Sequence, residues 1–338
     1  MRLSHLRRYL ILLAAAGALC AQTPRIGRIE FYGLRKVPEA KIRKALGFVE
    51  GESLPGSKSE IEEKIAETPG IVRAHLEATC CDEGKLVLYV GVEEKGAAHF
   101  DLRTPPEAEI DLPSEIVSTY RAFLAAVNEA VRRRTTAEDL THGHSLMADS
   151  DCRDIQLKFV DLAGKNLDVL RKVLRTSGDE EQRAIAAYVI GYAPSKRDIV
   201  NDLQFALKDA DDTVRGNAIR AMAAVSVFAK LHPEGKVTVS PTWFIEMLNS
   251  IVWTDRNNAA VALVNLTEAR DESTLAQLRE RALPSLVEMA KWQFLEHALP
   301  AYILLGRVTG MPETEIQDSW SKGDRAKVIA AAVKKFKL

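Results

Sequence analysis

Two histidines and a group of acidic side chains are the residues of this chain best suited to chemistry. The segment contains His142 and His144 around a glycine, followed by Asp149, Asp151 and Cys152. Two imidazoles and a carboxylate can bind zinc and leave one coordination position open for water. The spacing matches no common metalloenzyme pattern, and such a turn can instead cap helices with its side chains. We therefore expect no metal, with His142, His144 and Asp149 as the weak candidates for one.

Catalytic signatures of other kinds are missing from the sequence. It contains no Gly-x-Ser-x-Gly turn, no glycine-rich phosphate loop before Lys-Ser or Lys-Thr, and no His-Glu-x-x-His helix. The sequence therefore predicts a protein that is not an enzyme and carries no cofactor. The competing class is a secreted metal-dependent enzyme built around His142 and His144, which would need a cleft with convergent polar groups.

The charges of the chain are balanced and dispersed. It contains 46 Lys and Arg residues against 47 Asp and Glu residues, for a net charge of -1. Because nucleic-acid binding needs a concentrated basic face, nucleic acid is not an expected partner. The short basic runs at 132–134 and 334–337 are interpreted as solvated helix ends, where positive side chains complement the helix dipole.

Residues 1–21 have the layout of a secretory signal peptide. The successive parts are a positive segment, an apolar run and small residues: Arg2, Arg7 and Arg8, then Leu10–Leu19, then Ala18 and Ala21. The run is shorter than the roughly 20 residues that span a bilayer, so we expect cleavage near Ala21 and export to the periplasm or the cell exterior. The alternatives are an uncleaved anchor or a lipidated Cys20, which are the only routes to membrane contact.

Four cysteines are too few for a fold built on disulfides in a chain of 338 residues. If Cys20 leaves with the signal, Cys80, Cys81 and Cys152 remain. Cys80 or Cys81 could pair with Cys152, or one or more thiols could stay free, and the sequence leaves both open.

The segment at 22–95 reads as strand, helix, helix, strand, strand. Residues 28–32 alternate apolar and polar side chains, and two short amphipathic helices follow. Residues 72–79 and 86–92 also alternate, with Asp82-Glu83-Gly84 between them, which is typical of a half-buried hairpin. This arrangement indicates a small binding module and not a reaction centre.

The same segment resembles a polypeptide-transport-associated (POTRA) domain. The resemblance is carried by Ile29/Phe31/Gly33, by Gly51/Leu54 and by the closing strand Leu86–Glu93. It implies a docking platform outside the cytoplasm that binds an extended partner segment by adding a strand to a sheet edge. In that arrangement Arg73, His75 and Glu77 would face outward along the edge strand and tune the contact as partner-binding residues. The alternative is that these three side chains only face solvent.

Beyond residue 95 the pattern changes twice. Residues 96–113 contain Pro105, Pro106 and Pro113 and no sustained period, which predicts a linker that lets both domains bind together. Residues 114–178 are predicted to be helical and to lead into the next domain. They include a helix at 114–134 and a possible capping box at 136–139 that would start another helix.

Residues 179–338 contain an internal repeat. Asp179 and Arg183 have the same spacing as Asp211 and Arg215, at an offset of 32 residues, and Arg256 marks a weaker third copy. A poor fourth copy at 298–306 lacks the arginine. The pattern resembles HEAT repeats, helix pairs that stack into a superhelix with a concave binding surface. We interpret the four Asp and Arg residues as an exposed ladder that sets the register of stacking.

These observations predict a multi-domain α+β protein: a βααββ POTRA-like domain followed by an all-α HEAT-like solenoid. The predicted function is a non-enzymatic, exported interaction scaffold of the bacterial cell envelope with protein partners. The alternatives are an accessory factor for outer-membrane protein assembly or secretion, or the metal-dependent enzyme described above. A third alternative is an envelope protein whose two domains only pack together, which a large buried apolar contact between sheet and solenoid would favour. Partner identity and oligomeric state are left open by the sequence.

Overall fold

The computed structural model of the protein describes residues 25–337. The predicted signal peptide and Cys20 therefore lie outside the described residues. Within them, a small mixed sheet precedes a mostly helical body. None of the helices in this part of the chain combines the length and apolar character needed to cross a membrane.

The N-terminal module has the predicted order of elements. They are β1 (Ile26–Tyr32), α1 (Glu39–Leu46), α2 (Lys58–Ala66), β2 (Ile71–Asp82) and β3 (Lys85–Glu94). The strands lie in the order β1-β3-β2, with β3 parallel to β1 and antiparallel to β2. Within residues 25–337, both outer strands are therefore edge strands, and β2 has no strand on its far side.

The two helices cover one face of this sheet because both are amphipathic. Ile42 and Leu46 of α1 and Ile65 of α2 pack on alternate strand residues such as Leu88 and Val90 to form a small core. The turn after β1 requires glycine. Gly33 has φ +83°, and a Cβ there would lie 1.9 Å from the carbonyl oxygen of Val92.

Between residues 95 and 337, the regular elements are helices, one short hairpin and one 3-10 turn. In order, these elements are α3 (Ser114–Arg133), β4 (Glu138–Asp139), β5 (Leu146–Met147), α4 (Ser150–Lys165), α5 (Leu167–Thr176), α6 (Glu180–Ile190), α7 (Lys196–Ala206), α8 (Asp212–Leu231), the 3-10 turn (Pro233–Gly235), α9 (Thr242–Met247), α10 (Trp253–Leu266), α11 (Glu272–Arg281), α12 (Leu283–Lys291), α13 (Leu295–Thr309), α14 (Glu313–Ser321) and α15 (Arg325–Phe336).

The predicted capping box at 136–139 is wrong. Glu138 and Asp139 pair with Met147 and Leu146 in the β4–β5 hairpin, and no helix begins there. The intervening loop is closed by Gly143, whose φ of +75° favours glycine.

Four helix pairs form a helical repeat solenoid. The pairs are α5 with α6, α7 with α8, α9 with α10, and α12 with α13. The second helices form one layer, because α6 packs on α8, α8 on α10, and α10 on α13. The copies marked by Arg183, Arg215 and Arg256 are the helices α6, α8 and α10, so the predicted repeat follows the real stacking.

The segment at 96–113, which was predicted to be a linker, is fixed along the solenoid. Arg103 donates its backbone N–H to the carbonyl of Lys208, and its guanidinium lies 3.3 Å from the ring centroid of Phe205. Ala108 then pairs with the turn that follows α5. Phe100 and Leu112 are buried. The segment thus runs as a strap over the turns within the helix pairs.

Candidate protein-interaction surfaces

The face of the sheet opposite α1 and α2 packs against the solenoid. Tyr89 stacks on Trp253 at 4.6 Å between ring centroids, and its ring meets Trp292 edge-on at 5.1 Å. Tyr32 also meets Trp292 edge-on, at 6.0 Å, and donates its hydroxyl to the carbonyl of Ile251 at 2.6 Å. Aromatic pairs of this kind contribute more stabilisation than is expected from the apolar area that they bury. The sheet is therefore attached to the turns before α10 and α13.

The backbone of β3 lies so close to the solenoid that this contact requires a glycine. A Cβ at Gly91 would lie 2.4 Å from the carbonyl oxygen of Ile251 and 2.6 Å from the ring of Tyr32. Arg256 lies over the ring of Tyr32 at 4.5 Å and is almost fully buried. Only a residue without a side chain lets β3 approach the solenoid this closely.

Two carboxylates of the sheet bind backbone amides where solenoid helices begin. Glu77 of β2 accepts from the backbone N–H of Thr254, in the first turn of α10, and from its hydroxyl. Glu30 of β1 accepts from the N–H groups of Gln293 and Phe294, just before α13, at 2.5 and 3.4 Å. Both helices lack a side-chain cap of their own. The sheet thus supplies negative charge to the positive ends of two helices.

Glu77→Ala is expected to lower the free energy of unfolding by about 1 kcal/mol, the typical loss for a removed N-terminal cap. The reason is that the amide of Thr254 loses its acceptor in a partly buried position. Chemical denaturation measures the loss. Glu77→Gln keeps an acceptor oxygen and serves as the control, so an equal loss in both variants would contradict the capping role.

His297 makes the same interface sensitive to acid. The Tyr89 hydroxyl lies 2.6 Å from its Nδ1, and burial lowers the pKa of His297 from 6.5 to about 4. Between these two values the unfolded chain binds more protons than the folded one. Stability from this group is therefore fully present above pH 6.5 and is lost as the pH falls towards 4.

We expect the free energy of unfolding to fall by about 1–2 kcal/mol through His297 on acidification from pH 7 to 4, after discounting for its partial exposure. His297→Asn, which keeps an acceptor near the Nδ1 position but does not titrate, should reduce the slope of stability against pH. Denaturation series across this range measure the slope. An unchanged slope in the variant would rule out His297 as the source.

The residues predicted to set the repeat register lie at the starts of α6 and α8, next to the turns of the helix pairs. Arg183 forms two bonds of 3.0 Å with Asp209, and Arg215 binds Asp255 at 2.9 and 3.0 Å. These arginines are 2% and 1% exposed. The prediction of an exposed ladder is therefore wrong, because neighbouring pairs and the strap cover these turns.

The two aspartates predicted as partners have a different role. Asp179 accepts from the N–H of Gln182, and Asp211 accepts from the N–H of Val214. Each therefore caps the start of its own helix. The ion pairs instead connect one helix pair to the next: Arg183 binds Asp209 in the turn before α8, and Arg215 binds Asp255 in the first turn of α10.

The three residues predicted to bind a partner lie along β2 but are not equally free. Arg73 pairs with Glu93 on the neighbouring strand and stays half-exposed. The predicted outward orientation is wrong for Glu77, which is bound to α10. His75 lies between Glu62 and Glu77 at 3.4 and 3.9 Å, and burial followed by the nearby Lys58 ammonium lowers its pKa.

A groove runs between α8 and α10 in the solenoid's second layer. Two adjoining cavities of about 200 and 380 Å³ follow it. Its walls carry small and apolar side chains, including Val261 and Leu231, which are 47% and 54% exposed. Arg220 pairs with Glu138 at one end, and Lys230 pairs with Glu268 at the other. Such a surface suits a mainly uncharged polypeptide segment.

The structure does not bring the candidate metal ligands together. Asp149 caps α4 and binds Arg133. His144 lies 3.3 Å from the Lys196 ammonium, and burial and then this charge lower its pKa to about 4. His142 is exposed beside Asp139. Within residues 25–337, no group of three or more His, Cys, Asp or Glu side chains is arranged to hold a metal ion.

Cys80 and Cys152 differ in their oxidation state. Cys80 is part of a disulfide, whereas Cys152 is a free thiol buried in α4. Pairing of Cys152 with Cys80 or Cys81, one of the two options left open by the sequence, is therefore excluded.

Comparisons with known proteins leave the family open. No protein-family model matches the chain, and no curated protein is similar to it. Among solved structures, a designed armadillo repeat protein, YIII(Dq)4CqI, is similar with a TM-score of 0.34 and 17% identity, over 55% of this chain and 93% of that chain. The stacked helix pairs of this chain, rather than that distant likeness, define its architecture as a helical repeat solenoid.

Proposed function

We propose that this protein is a non-enzymatic, exported interaction scaffold whose N-terminal module is a POTRA-like strand-docking domain. The edge of β2 would bind an extended segment of a partner polypeptide, and the groove between α8 and α10 would bind a second segment. The N-terminal basic and apolar pattern supports export to the periplasm or cell exterior. Envelope proteins are accordingly the proposed partners.

Packing of the sheet on the solenoid alone would also fit two domains that only pack together. The observation that carries this proposal is that, among the described residues, one side of β2 has no neighbouring strand although both faces of the sheet are covered. α1 and α2 cover one face, and the solenoid packs on the other. On the β1 side, Ile26 already exchanges backbone hydrogen bonds with residues 51 and 52. β2 is therefore the strand whose backbone is left to pair with another chain.

The contact between the sheet and the solenoid determines how the β2 edge and the groove could bind one partner together. Because the strap and the aromatic contacts hold the sheet in place, the edge and the groove keep one relative position. A partner that reaches both would therefore bind without the entropy loss of ordering a flexible linker. The proposed scaffold is thus preorganised.

Crosslinking in the native envelope, with a tag at the C-terminus, tests the proposal. Ala78→Pro blocks strand addition, because its N–H points away from β3 and proline removes it at little cost to the sheet. Val261→Lys places a charge in the groove instead. A partner lost with either variant identifies the surface that binds it. A partner that both variants retain would contradict the proposed surfaces.

A further inference from the structure

A side chain of the covering helix occupies one position on the open edge of β2. Glu62 of α2 accepts a hydrogen bond from the backbone N–H of Leu76, with an N···O distance of 2.6 Å. Successive N–H groups of an antiparallel strand point to opposite sides, so Ala74 and Ala78 share the direction of Leu76. The carboxylate of Glu62 thus lies where the carbonyl oxygen of an added strand would lie.

Surrounding groups hold Glu62 in that position. Its carboxylate lies 3.4 Å from Nδ1 of His75 and 3.6 Å from the ammonium of Lys58. The helix that carries it is anchored by Ile65, which is fully buried under the sheet. The side chain is itself only 21% exposed. Glu62 is therefore a built part of the edge and not a freely moving surface residue.

We propose that Glu62 acts as a guard of the β2 edge, which means that its carboxylate blocks strand pairing there until a partner displaces it. The occupant is an extended segment of another polypeptide, whose carbonyl takes the Leu76 N–H from the carboxylate. This inference rests on the proposed strand docking and adds its control element. Ala74 and Ala78 are small and lie on the face of β2 that α2 covers, where Ala74 packs on the small core. Side chains of the segment next to them are therefore expected to be apolar.

The guard has a physical purpose. An edge strand of 12 residues without protection would also pair with a second copy of the chain. A carboxylate on the edge satisfies one N–H and repels carbonyl oxygens of strands that approach without sufficient additional contacts. A partner that makes enough additional contacts can displace the Glu62 carboxylate from the Leu76 N–H. The displaced carboxylate would still have Lys58 and His75 as neighbours.

The test uses peptides selected from a random library for binding to the full chain. Glu62→Ala is expected to lower their Kd by about tenfold or more, because a hydrogen bond with a charged acceptor no longer competes. Glu62→Gln keeps a neutral acceptor and should have a smaller effect. Glu63→Ala is the matched control, since Glu63 is exposed on the same helix and makes no described side-chain bond.

The possible outcomes distinguish a failure of the proposed role of Glu62 from a failure of strand docking at β2. If Ala78→Pro abolishes binding and Glu62→Ala leaves Kd unchanged, docking at β2 stands and the guard is wrong. If Ala78→Pro leaves Kd unchanged, docking at β2 is itself wrong. Concentration-dependent dimers of Glu62→Ala in sedimentation velocity, absent in the Glu62→Ala/Ala78→Pro variant, would also support the guard.

Discussion

Arg215→Met is expected to lower the free energy of unfolding by about 3–5 kcal/mol, because it leaves Asp255 as a buried charge without its partner. Both side chains are at most 2% exposed. The arginine also donates to the carbonyls of Asp209 and Ala210, so the turn before α8 loses two further bonds. Chemical denaturation of the variant against the natural chain measures the difference.

Two further variants make this result specific to the buried pair. Arg121→Met removes an ion pair with Glu181 in which both side chains are more than half exposed, and it should cost less than about 1 kcal/mol. The double variant Arg215→Met/Asp255→Leu should be more stable than Arg215→Met alone, since no charge is left unpaired. A double variant that is less stable would mean that packing, and not charge, dominates at this turn.

Trp292→Ala is expected to lower the free energy of unfolding by about 3–5 kcal/mol and to loosen the sheet from the solenoid. Trp292 is 2% exposed and contacts both Tyr32 and Tyr89. Hydrogen exchange should then become faster at Thr254 and Gln293, whose amides donate to carboxylates of the sheet.

The control for this prediction is Trp320→Ala. Trp320 is half-buried on α14 and packs on Tyr302, away from the sheet. The Trp320→Ala variant should lose less stability than Trp292→Ala, and hydrogen exchange at the sheet contacts should stay unchanged. Equal exchange in the two tryptophan variants would contradict the role of Trp292 in holding the sheet.

Local patterns explain why much of the fold could be predicted. The βααββ order follows from period-two and amphipathic stretches within 70 residues. The first two repeats were visible because Asp179 and Asp211 cap their own helices four residues before an arginine. Both signals depend on neighbours in sequence, which a single chain displays directly.

The weak third and fourth repeats have a structural cause that the sequence conceals. At the capping position of α10 and α13 stand Val252 and Phe294 in place of aspartate. Their polar partners are Glu77 and Glu30, more than 170 residues away along the chain. Apolar capping residues in two repeats were the available signal that another element supplies the acceptors.

Two further differences from the sequence-based expectations arise from tertiary burial. The arginine ladder was taken as exposed because charged residues near helix ends usually are, but the strap covers these turns. The prolines of the strap and its lack of a period predict a linker, and they do not indicate its contacts with Phe205 and Lys208. Neither contact has a local signature in the sequence.

The most direct test of the scaffold is amide hydrogen exchange on the full chain with and without library-selected peptides. We expect bound peptides to slow exchange at Leu76 and Ala78 on the β2 edge, while exchange at Thr254 stays unchanged because the sheet remains docked. Peptides that bind and slow exchange only in α8 and α10 would assign binding to the groove alone. Bound peptides that protect neither surface would contradict the account.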